Sequence, residues 1–391
     1  MKNISIYIQL FFLIPIILLL FIIRIFKNFR INKIISHKIG HLATPMEIYI
    51  CERKDDSNKI PIIWFFDKKI ANQFLKKQWL NKLLILPRYI LEPIYILFRK
   101  FKFFKFFLED FSKETELVKR TLKDGVKQID EKNVLFKQKP SIEFSDKEKN
   151  EGENYLKKVG FQNKKLITFS SRTSEFHNEK MKSNRNSDIY NQIPGVKFLI
   201  SKDYRALRLG KNVTEKINVN DQNIIDYATS RDRSDFLDVY IVSKCEFMIS
   251  SESGINEIAV IFRKPILIVD HYYWRSCEKY SGKVMLLPKK FRKLDTGKLL
   301  NFGKAHEKFN QIDDPATVSK LGYEVIDSSQ IEIKKAAESM FHLINNGSRF
   351  DEIFESQKKF WNNLEKEFGY KKNNKVIICP DFYLNNIDLF E

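Results

Sequence analysis

Cysteine is scarce in this chain, and no two cysteines stand at metal-binding spacing. The four are Cys51, Cys245, Cys277 and Cys379, and none belongs to a C-x-x-C pair. Structural zinc sites usually contain such a pair, and nothing in the sequence suggests a disulfide framework. We therefore predict neither, and we expect a reducing, cytoplasmic environment in which free thiols persist.

Motifs for nucleotide and metal chemistry are also missing. The chain has no complete Gly-x-Gly-x-x-Gly fingerprint and no Walker-type lysine loop. It has no convincing Asp-x-Asp motif and no Glu-x7-Glu pair, because Glu252 and Glu257 are too close together. No internal repeat is visible. We therefore predict no metal ion and no cofactor, and manganese dependence is not implied.

The composition allows a sizeable core and favours anionic partners. The chain has 391 residues, 43% of them hydrophobic, which suffices for two α/β domains and a membrane segment. The formal net charge of +19 suits anionic lipid surfaces and anionic nucleotide-sugars. An AT-rich genome would produce the same lysine excess, so charge alone identifies no partner. No nucleic-acid recognition motif is present, and we predict no nucleic-acid partner.

The first 30 residues have the pattern of a membrane anchor. Residues 4 to 25 are almost wholly apolar, with Gln9, Pro15 and Arg24 as the main interruptions, and about 20 apolar residues suffice to cross a bilayer. No small-x-small cleavage site follows, so we predict an uncleaved anchor over residues 1–30 rather than a signal peptide. Basic residues follow the segment and almost none precede it, so the positive-inside rule places the body of the protein in the cytoplasm.

Residues 31–160 are predicted to form a first α/β domain. The apolar runs 48–51 and 60–66 are predicted as short buried strands, and 68–80 as a helix with one apolar side. Residues 98–108 alternate cations with aromatics. That pattern fits a segment lying in the membrane interface, and equally a helix packed in the domain with its lysine stems pointing outwards.

A second domain follows a polar linker predicted over residues 137–152. Residues 166–169 and 204–209 are predicted strands of this domain, separated by a polar loop and a helix. Residues 331–344 have apolar side chains at helical spacing, and residues 350–368 are predicted to form one final amphipathic helix.

The most informative stretch is 247–270. It reads as a strand, a Ser/Gly turn, a short helix, a Lys-Pro break and a second strand, which is half of a nucleotide-binding α/β unit. Amides freed by Gly254 at the helix start would point at an anion, and Glu257, one turn further on, could accept hydrogen bonds from ribose hydroxyls. An ordinary βαβ crossover without a ligand is the alternative, since serines are good N-caps and Lys-Pro is a good helix stop.

Several further motifs accompany this unit. They are Ile-Ile-Asp-Tyr-Ala at 224–228, Arg-Ser-Asp-Phe at 233–236, Lys-Cys at 244–245 and Phe-x-Lys-Pro at 262–265, with shorter motifs at 39–43 (Ile-Gly-His-Leu-Ala), 185–189 and 208–210. Together they resemble a poorly characterised family of bacterial surface-polysaccharide glycosyltransferases. The resemblance covers most of the chain after the first helix, and its specific part is the block from Arg-Ser-Asp-Phe to Lys-Pro.

The resemblance and the order of elements imply an α/β fold with two Rossmann-like domains facing a cleft, the GT-B architecture, preceded by one N-terminal transmembrane helix. We predict the anchor at 1–30, an acceptor-side α/β domain at 31–160 and a nucleotide-sugar-binding domain at 161–345. A C-terminal helix and tail are predicted at 346–391.

Candidates for donor binding stand at the strand ends and helix starts of this fold. They are Arg172, Arg208, Arg233, Ser251, Ser253, Gly254 and Glu257. The serines and Gly254 would form a phosphate cradle, and the arginines would bind the diphosphate because a fork-shaped guanidinium suits phosphate better than lysine does. The alternative for Arg172 is a surface arginine that caps a loop, and the Ser-Asp pair after Arg233 is a common helix cap.

His41 is the predicted catalytic base. It follows Gly40 in the early motif, and a neutral imidazole near pH 7 can accept a proton from a sugar hydroxyl. A lone histidine is more often structural, and acceptor or phosphate binding are other roles open to it.

The sequence therefore predicts a glycosyltransferase anchored by a single span in the bacterial inner membrane, with its catalytic body in the cytoplasm. It would move a sugar from a nucleotide-sugar donor to a surface-polysaccharide or lipid-linked glycan acceptor. Two alternatives stay open. A nucleotide-sugar epimerase would share the fold and the Ser-Gly helix, although it needs no anchor. A non-catalytic scaffold of a polysaccharide assembly system would keep a degenerate site.

Overall fold

The computed structural model describes the backbone of residues 2–109, 129–161, 164–174, 183–279, 283–345, 350–369 and 376–391, without the side chains of 2–12, 275, 278–279 and 350. The chain divides into two compact units, residues 1–143 and 144–391. The division falls inside the stretch 137–152, and the domain boundaries drawn from the sequence stay predictions.

The first unit is mostly helical and contains a short parallel sheet. Its elements are α1 Lys2–Phe26, β1 Arg30–Ile34, α2 Ile39–Asp55, β2 Ile62–Phe66, α3 Gln73–Lys82, α4 Arg88–Lys100, a 3-10 helix Lys102–Phe107 and α5 Val134–Lys137. β1 pairs in parallel with β2, which confirms the strand predicted at 60–66. The described residues of this unit do not show a full Rossmann-like sheet.

Aromatic side chains from α1, α4 and the 3-10 helix build the core beside this sheet. Phe98 stacks on Phe107 with ring centroids 4.6 Å apart, and Phe21 of α1 meets Phe107 edge-on at 5.1 Å. Phe107 is fully buried, whereas Phe103 is 71% exposed. Residues 98–108 therefore pack partly into the unit and partly outwards, and their contact with a membrane stays a prediction.

Helix α1 contains the predicted anchor. Among the residues that the structure describes, no helix has both the length and the apolarity needed to cross a membrane. The predicted transmembrane span is therefore not supported, and the side chains of its first part, up to residue 12, lie outside the described residues.

Residues 48–51, predicted as a strand, are part of helix α2. The prediction is wrong because a short run rich in β-branched residues fits a buried helix as well as a buried strand. Leu42, Met46 and Ile50 recur every four residues, and all three are buried. That spacing places them on one side of a helix.

The second unit alternates strands and helices. Its elements are α6 Asp146–Lys158, β3 Lys165–Ser170, α7 Ile193–Ile200, β4 Tyr204–Arg208, β5 Ile224–Ile225, α8 Asp235–Lys244, β6 Phe247–Ser250, α9 Asn256–Ile261, β7 Ile266–His271, β8 Val284–Pro288, β9 Lys290–Lys293, α10 Phe302–Phe309, α11 Pro315–Lys320, β10 Tyr323–Ile326, α12 Gln330–Asn345, α13 Phe350–Ser356, α14 Lys358–Phe368, β11 Val376–Ile378 and α15 Pro380–Asn385. β9 and β10 form a separate antiparallel pair.

The main sheet of this unit has seven parallel strands in the order β11-β8-β7-β6-β3-β4-β5. The chain starts at β3, runs outwards to β4 and β5, and returns to β6 on the other side of β3. The strand order therefore reverses between β3 and β6. Open α/β sheets bind ligands beyond the carboxyl ends of their strands at such a switch point.

The C-terminal segment differs from the predicted single helix at 350–368. It forms two helices, α13 and α14, separated at Gln357. The Gln357 side chain donates to Ile378 O at 2.8 Å and accepts from Ile378 N at 2.8 Å. Ile378 belongs to β11, a strand that the sequence did not predict and that pairs with β8 at the sheet edge. Residues 376–378 thus form the edge strand of the main sheet.

Candidate functional site

The loops after β3 and β6 contact each other at the switch point. The hydroxyl groups of Ser170 and Ser250, which end these strands, are 2.8 Å apart and buried. Beyond them, the backbone N–H of Arg172 donates to Ser251 Oγ at 2.7 Å. Ser251 is buried, and Arg172 is partly exposed. The structure therefore brings together Arg172 and Ser251, two of the residues predicted to bind the donor.

Two buried amide side chains fix these loops. Gln192 Nε2 donates to Ser170 O and to Ser171 Oγ, both at 2.9 Å, and Asn256 Nδ2 donates to Ser251 O at 3.0 Å. Gln192 Oε1 and Asn256 Oδ1 accept no hydrogen bond from any described residue. The loop backbones are thus held in place without a ligand, and two acceptors are left for a water molecule or a ligand.

The predicted phosphate cradle lies in the turn between β6 and α9. Helix α9 begins at Asn256, two residues after Gly254, and has six residues. The N–H of Asn256 donates to Ser253 O at 3.2 Å, and that of Glu257 donates to Gly254 O at 3.3 Å. An anion at this turn would therefore need other donors than these two amides, such as the side chains around it.

Glu252 lies in the same turn, and its carboxylate contacts polar groups at the end of β7 and in the segment that follows it. Its Oε1 accepts from Ser276 Oγ at 2.7 Å and lies 3.1 Å from His271 Nδ1. The Tyr273 N–H is 3.3 Å from each carboxylate oxygen. His271 Nε2 lies 3.4 Å from Cys277 Sγ. Carboxylate, imidazole and thiol therefore form one buried chain of polar contacts.

The groups around Glu252 lower the pKa of its carboxyl by more than burial raises it. Burial alone would raise the pKa of this carboxyl, but the charge and hydrogen bond of His271, the charge of Arg185 and the hydroxyl of Ser276 lower it to about 2. Glu252 is thus an anion at neutral pH although it is only 2% exposed. A carboxylate with so low a pKa is a poor proton acceptor, and it is suited to fixing cations instead.

Arg185 is the cation that Glu252 positions. Its Nη2 donates to the backbone O of Glu252 at 3.2 Å, and its Nε lies 3.7 Å from Glu252 Oε2. The guanidinium carbon is 5.8 Å from the centroid of the Tyr273 ring. The side chain is 29% exposed, so it can reach a ligand. Arg185 begins the motif at 185–189, but it was not among the predicted donor-binding residues, because its partner is 67 residues away and no local pattern reveals the pair.

Asp270 joins two further loops to the end of β7. It is fully buried and has a φ of 53°, a conformation that a non-glycine residue keeps only where its surroundings fix it. Its carboxylate accepts from Ser187 Oγ and, at 2.6 Å, from Ser328 N. Burial raises the pKa of Asp270, while the charge of Lys289 opposes that effect. The segment that carries Arg185 is therefore tied to the same sheet edge.

Arg208 and Arg233 have partners inside the protein. Arg208, at the end of β4, is 5% exposed, and its Nη1 lies 3.2 Å from Asp226 Oδ2. Arg233 Nε donates to Gly210 O at 2.9 Å, and its guanidinium pairs with Asp238. These contacts favour structural roles for both arginines, and donor binding by either stays a prediction.

The other predicted residues are divided between the two units. Ser253, Gly254 and Glu257 are half-buried in the second unit, with Glu257 in the first turn of α9. His41 is half-buried in the first turn of α2, in the first unit. No group of three or more His, Cys, Asp or Glu side chains in the described ranges is placed to hold a metal ion.

Known proteins resemble this chain in structure only. No family model and no curated protein matches it. Similar solved structures include a glycosyl transferase family 9 protein from Veillonella parvula, with 13% identity, 82% of this chain and 98% of that one covered, and a TM-score of 0.46. E. coli ADP-heptose LPS heptosyltransferase II has 11% identity, coverages of 66% and 90%, and a TM-score of 0.40. UDP-GlcNAc 2-epimerase from Neisseria meningitidis, bound to UDP-GlcNAc, has 12% identity, coverages of 81% and 100%, and a TM-score of 0.36. At these scores the similarities establish neither the fold nor the activity of this chain.

Proposed function

We propose that this protein is a glycosyltransferase that moves a sugar from a nucleotide-sugar donor to a surface-polysaccharide or lipid-linked glycan acceptor. The observation that carries the proposal is the contact between the loops after β3 and β6 at the switch point of the parallel sheet. Both loops hold residues that the sequence selects for donor binding, and Arg172 N–H donates to Ser251 Oγ there at 2.7 Å. The motif resemblance supplies the reaction class.

The donor diphosphate is proposed to contact Arg172 and Arg185. The two segments are adjacent, since Ser187 N–H donates to Arg172 O at 3.2 Å. The Arg185 guanidinium carbon lies 5.8 Å from the centroid of the Tyr273 ring; burial raises the pKa of the Tyr273 hydroxyl, and the charges of Arg185 and Arg172 oppose that effect. Guanidinium groups match phosphate oxygens in geometry. Stabilising the negative charge of the leaving diphosphate is the main electrostatic demand of sugar transfer.

Glu257 and His41 have separate proposed roles. Glu257 would accept hydrogen bonds from the ribose, and His41 would take the proton from the acceptor hydroxyl. Glu257→Ala is then expected to weaken donor binding. His41→Ala is expected to keep donor binding and to lower the rate of transfer. Full transfer activity in either variant would remove that residue from the mechanism.

The proposal is tested by thermal unfolding of the full chain in a non-ionic detergent with a panel of nucleotide-sugars and free nucleotides. A ligand that binds only the folded state raises the melting temperature. We expect one nucleotide-sugar to do so, and we expect Arg172→Gln and Arg185→Gln to abolish the rise. Lys165→Gln is the matched control, because it removes one positive charge at the opposite end of β3.

Product analysis then separates the three functions. Release of free nucleotide that depends on added acceptor supports sugar transfer. Conversion of the donor into another nucleotide-sugar without any acceptor identifies an epimerase. No thermal shift with any nucleotide-sugar contradicts the proposal and favours a scaffold.

We also propose that the protein is held at the bacterial inner membrane, with its body in the cytoplasm. Leu18, Leu19 and Ile22 of α1 are 58%, 52% and 54% exposed, and a contiguous exposed apolar surface usually marks a contact with a membrane or a partner. The full chain is expected in the membrane pellet after a high-salt wash, and a variant without residues 1–26 in the supernatant. Recovery of the full chain in the supernatant contradicts this placement.

A further inference from the structure

A cavity of about 460 Å³ lies in the first unit, where α1 ends, α2 and α3 finish and β2 begins. Ligand pockets for small molecules typically have volumes in this range. Much of its wall is apolar and includes Ile23, Ile50 and Leu84. All the lining residues belong to the first unit, and none belongs to the proposed donor site.

Four cations converge on this apolar cavity. They are Lys27, Arg53, Lys54 and Lys82, and no aspartate or glutamate is among the lining residues. In the described part of the chain, none of the four forms an ion pair with a carboxylate. An apolar wall with unbalanced positive charge is complementary to a molecule that has a hydrocarbon part and an anionic part.

Helix geometry explains part of this pattern. Arg53 and Lys54 stand in the last turn of α2, and Lys82 ends α3, where the partial negative charge of a helix C-terminus favours cations. This preference accounts for each cation on its own helix. It does not account for their meeting at one cavity with Lys27, which follows a third helix.

The apolar part of the cavity continues onto the protein surface. Leu84 is 60% exposed and Ile23 is 41% exposed, and both line the cavity. Their neighbours on the end of α1, Ile25 and Phe26, are 79% and 84% exposed. A hydrocarbon chain longer than the cavity would therefore find further apolar surface along α1.

We infer that this cavity binds a lipid phosphate, with the phosphate among the four cations and the hydrocarbon chain against the apolar wall and the exposed side chains of α1. Burial of apolar chain length supplies affinity, and the cations select an anionic head group over a neutral one. Identifying this lipid as the carrier of the acceptor glycan rests on the proposed function, whereas the binding itself does not.

The test is a calorimetric titration of the full chain, at a fixed concentration of non-ionic detergent, with farnesyl phosphate, farnesol and inorganic phosphate. Farnesyl phosphate is expected to bind about tenfold or more tightly than farnesol, because only the phosphate engages the cations. Inorganic phosphate is expected to bind far more weakly still, because it has no chain to bury. Equal binding of farnesyl phosphate and farnesol, or of both phosphates, overturns the inference.

Two double variants locate the site. Lys54 and Lys82 are exposed, so Lys54→Gln with Lys82→Gln should leave the melting temperature unchanged and weaken farnesyl phosphate binding about tenfold. Lys68→Gln with Lys69→Gln removes the same charge from exposed positions of the same unit that do not line the cavity. Equal affinity in the two double variants overturns the inference. If the first variant is unstable, Lys27→Gln replaces it, with the same expectation.

The outcomes for the two proposals are distinguishable. The Lys54/Lys82 variant is expected to keep the thermal shift with the nucleotide-sugar donor. Lipid binding without any donor shift would leave the inference standing and contradict the proposed function. A thermal shift with the nucleotide-sugar donor but no binding of farnesyl phosphate would contradict the inference and leave the proposed function standing.

Discussion

Replacing Glu252 by glutamine should make the second unit markedly less stable at neutral pH. The pKa of Glu252 is lowered from an ordinary value of 4.5 to about 2. A pKa lower by about 2.5 corresponds to about 3 kcal/mol of folding free energy at roughly 1.4 kcal/mol per pH unit. Glu252→Gln removes this contribution and leaves His271 beside a neutral amide.

The effect has a defined dependence on pH. A depressed carboxyl pKa stabilises the folded state fully above the unfolded pKa of 4.5, and the contribution is lost as the pH falls towards the folded pKa of about 2. The difference between wild type and Glu252→Gln should therefore be constant from pH 7 to about pH 5. It should shrink steadily below that range.

The assay is urea denaturation followed by tryptophan fluorescence between pH 7 and pH 3. Trp274 is one of four tryptophans, and its ring lies 5.5 Å from the His271 ring, so part of the emission reports on this region. Glu246→Gln is the control, because Glu246 is an exposed carboxylate at the other end of β6. A difference at pH 7 no larger than that of the control, or one that grows on acidification, would refute the reasoning.

Three further stability predictions are measured by the same urea assay. Gly152→Ala places a Cβ 2.2 Å from Cε1 of the fully buried Tyr240 ring, so overpacking should lower the free energy of unfolding by about 1–3 kcal/mol. The control Glu151→Ala on the same helix should change it by less than about 0.5 kcal/mol, and equal effects of the two substitutions would contradict the prediction. Ser145→Ala removes the capping box at the start of α6 and should cost about 1 kcal/mol; no loss would show that the cap is not needed. Burial raises the pKa of Asp238 from 3.8 to about 6, so the contribution of this carboxyl to folding stability is fully present below pH 3.8 and is lost as the pH rises through 6. Wild type should therefore lose stability relative to Asp238→Asn between pH 3.8 and pH 6, and a difference that does not change with pH would contradict the raised pKa.

The centre of the second unit could be predicted from the sequence because its signals are local. The strands β6 and β7 are short apolar runs, and every residue of both is buried, as is typical of parallel strands covered on two faces. The helix between them ends at Ile261, just before the Lys264-Pro265 break that the sequence indicated. Local signals therefore gave the position of the turn that holds Ser251 and Gly254.

The contacts that the sequence did not reveal depend on partners far apart in the chain. Phosphate binding by Arg208 stays a prediction, but no pattern in the sequence indicated that its Nη1 donates to the carboxylate of Asp226, 18 residues away. Glu252 was set aside because it is too close to Glu257 for a known motif, and the Arg185 pair that defines its role is long-range. Such pairs form only when strand ends meet at one sheet edge, so no sequence window contains them.

The pairing of β11 with β8 has a consequence for folding during translation. Because β11, Val376–Ile378, comes after every other strand of the main sheet in chain order, β8 keeps one row of unpaired backbone groups until this segment has left the ribosome. Exposed strand edges of this kind pair readily with other chains, and units on a nascent chain fold in order of synthesis. A chain that stops before Val376 would therefore have an open edge at β8 and would be prone to aggregate.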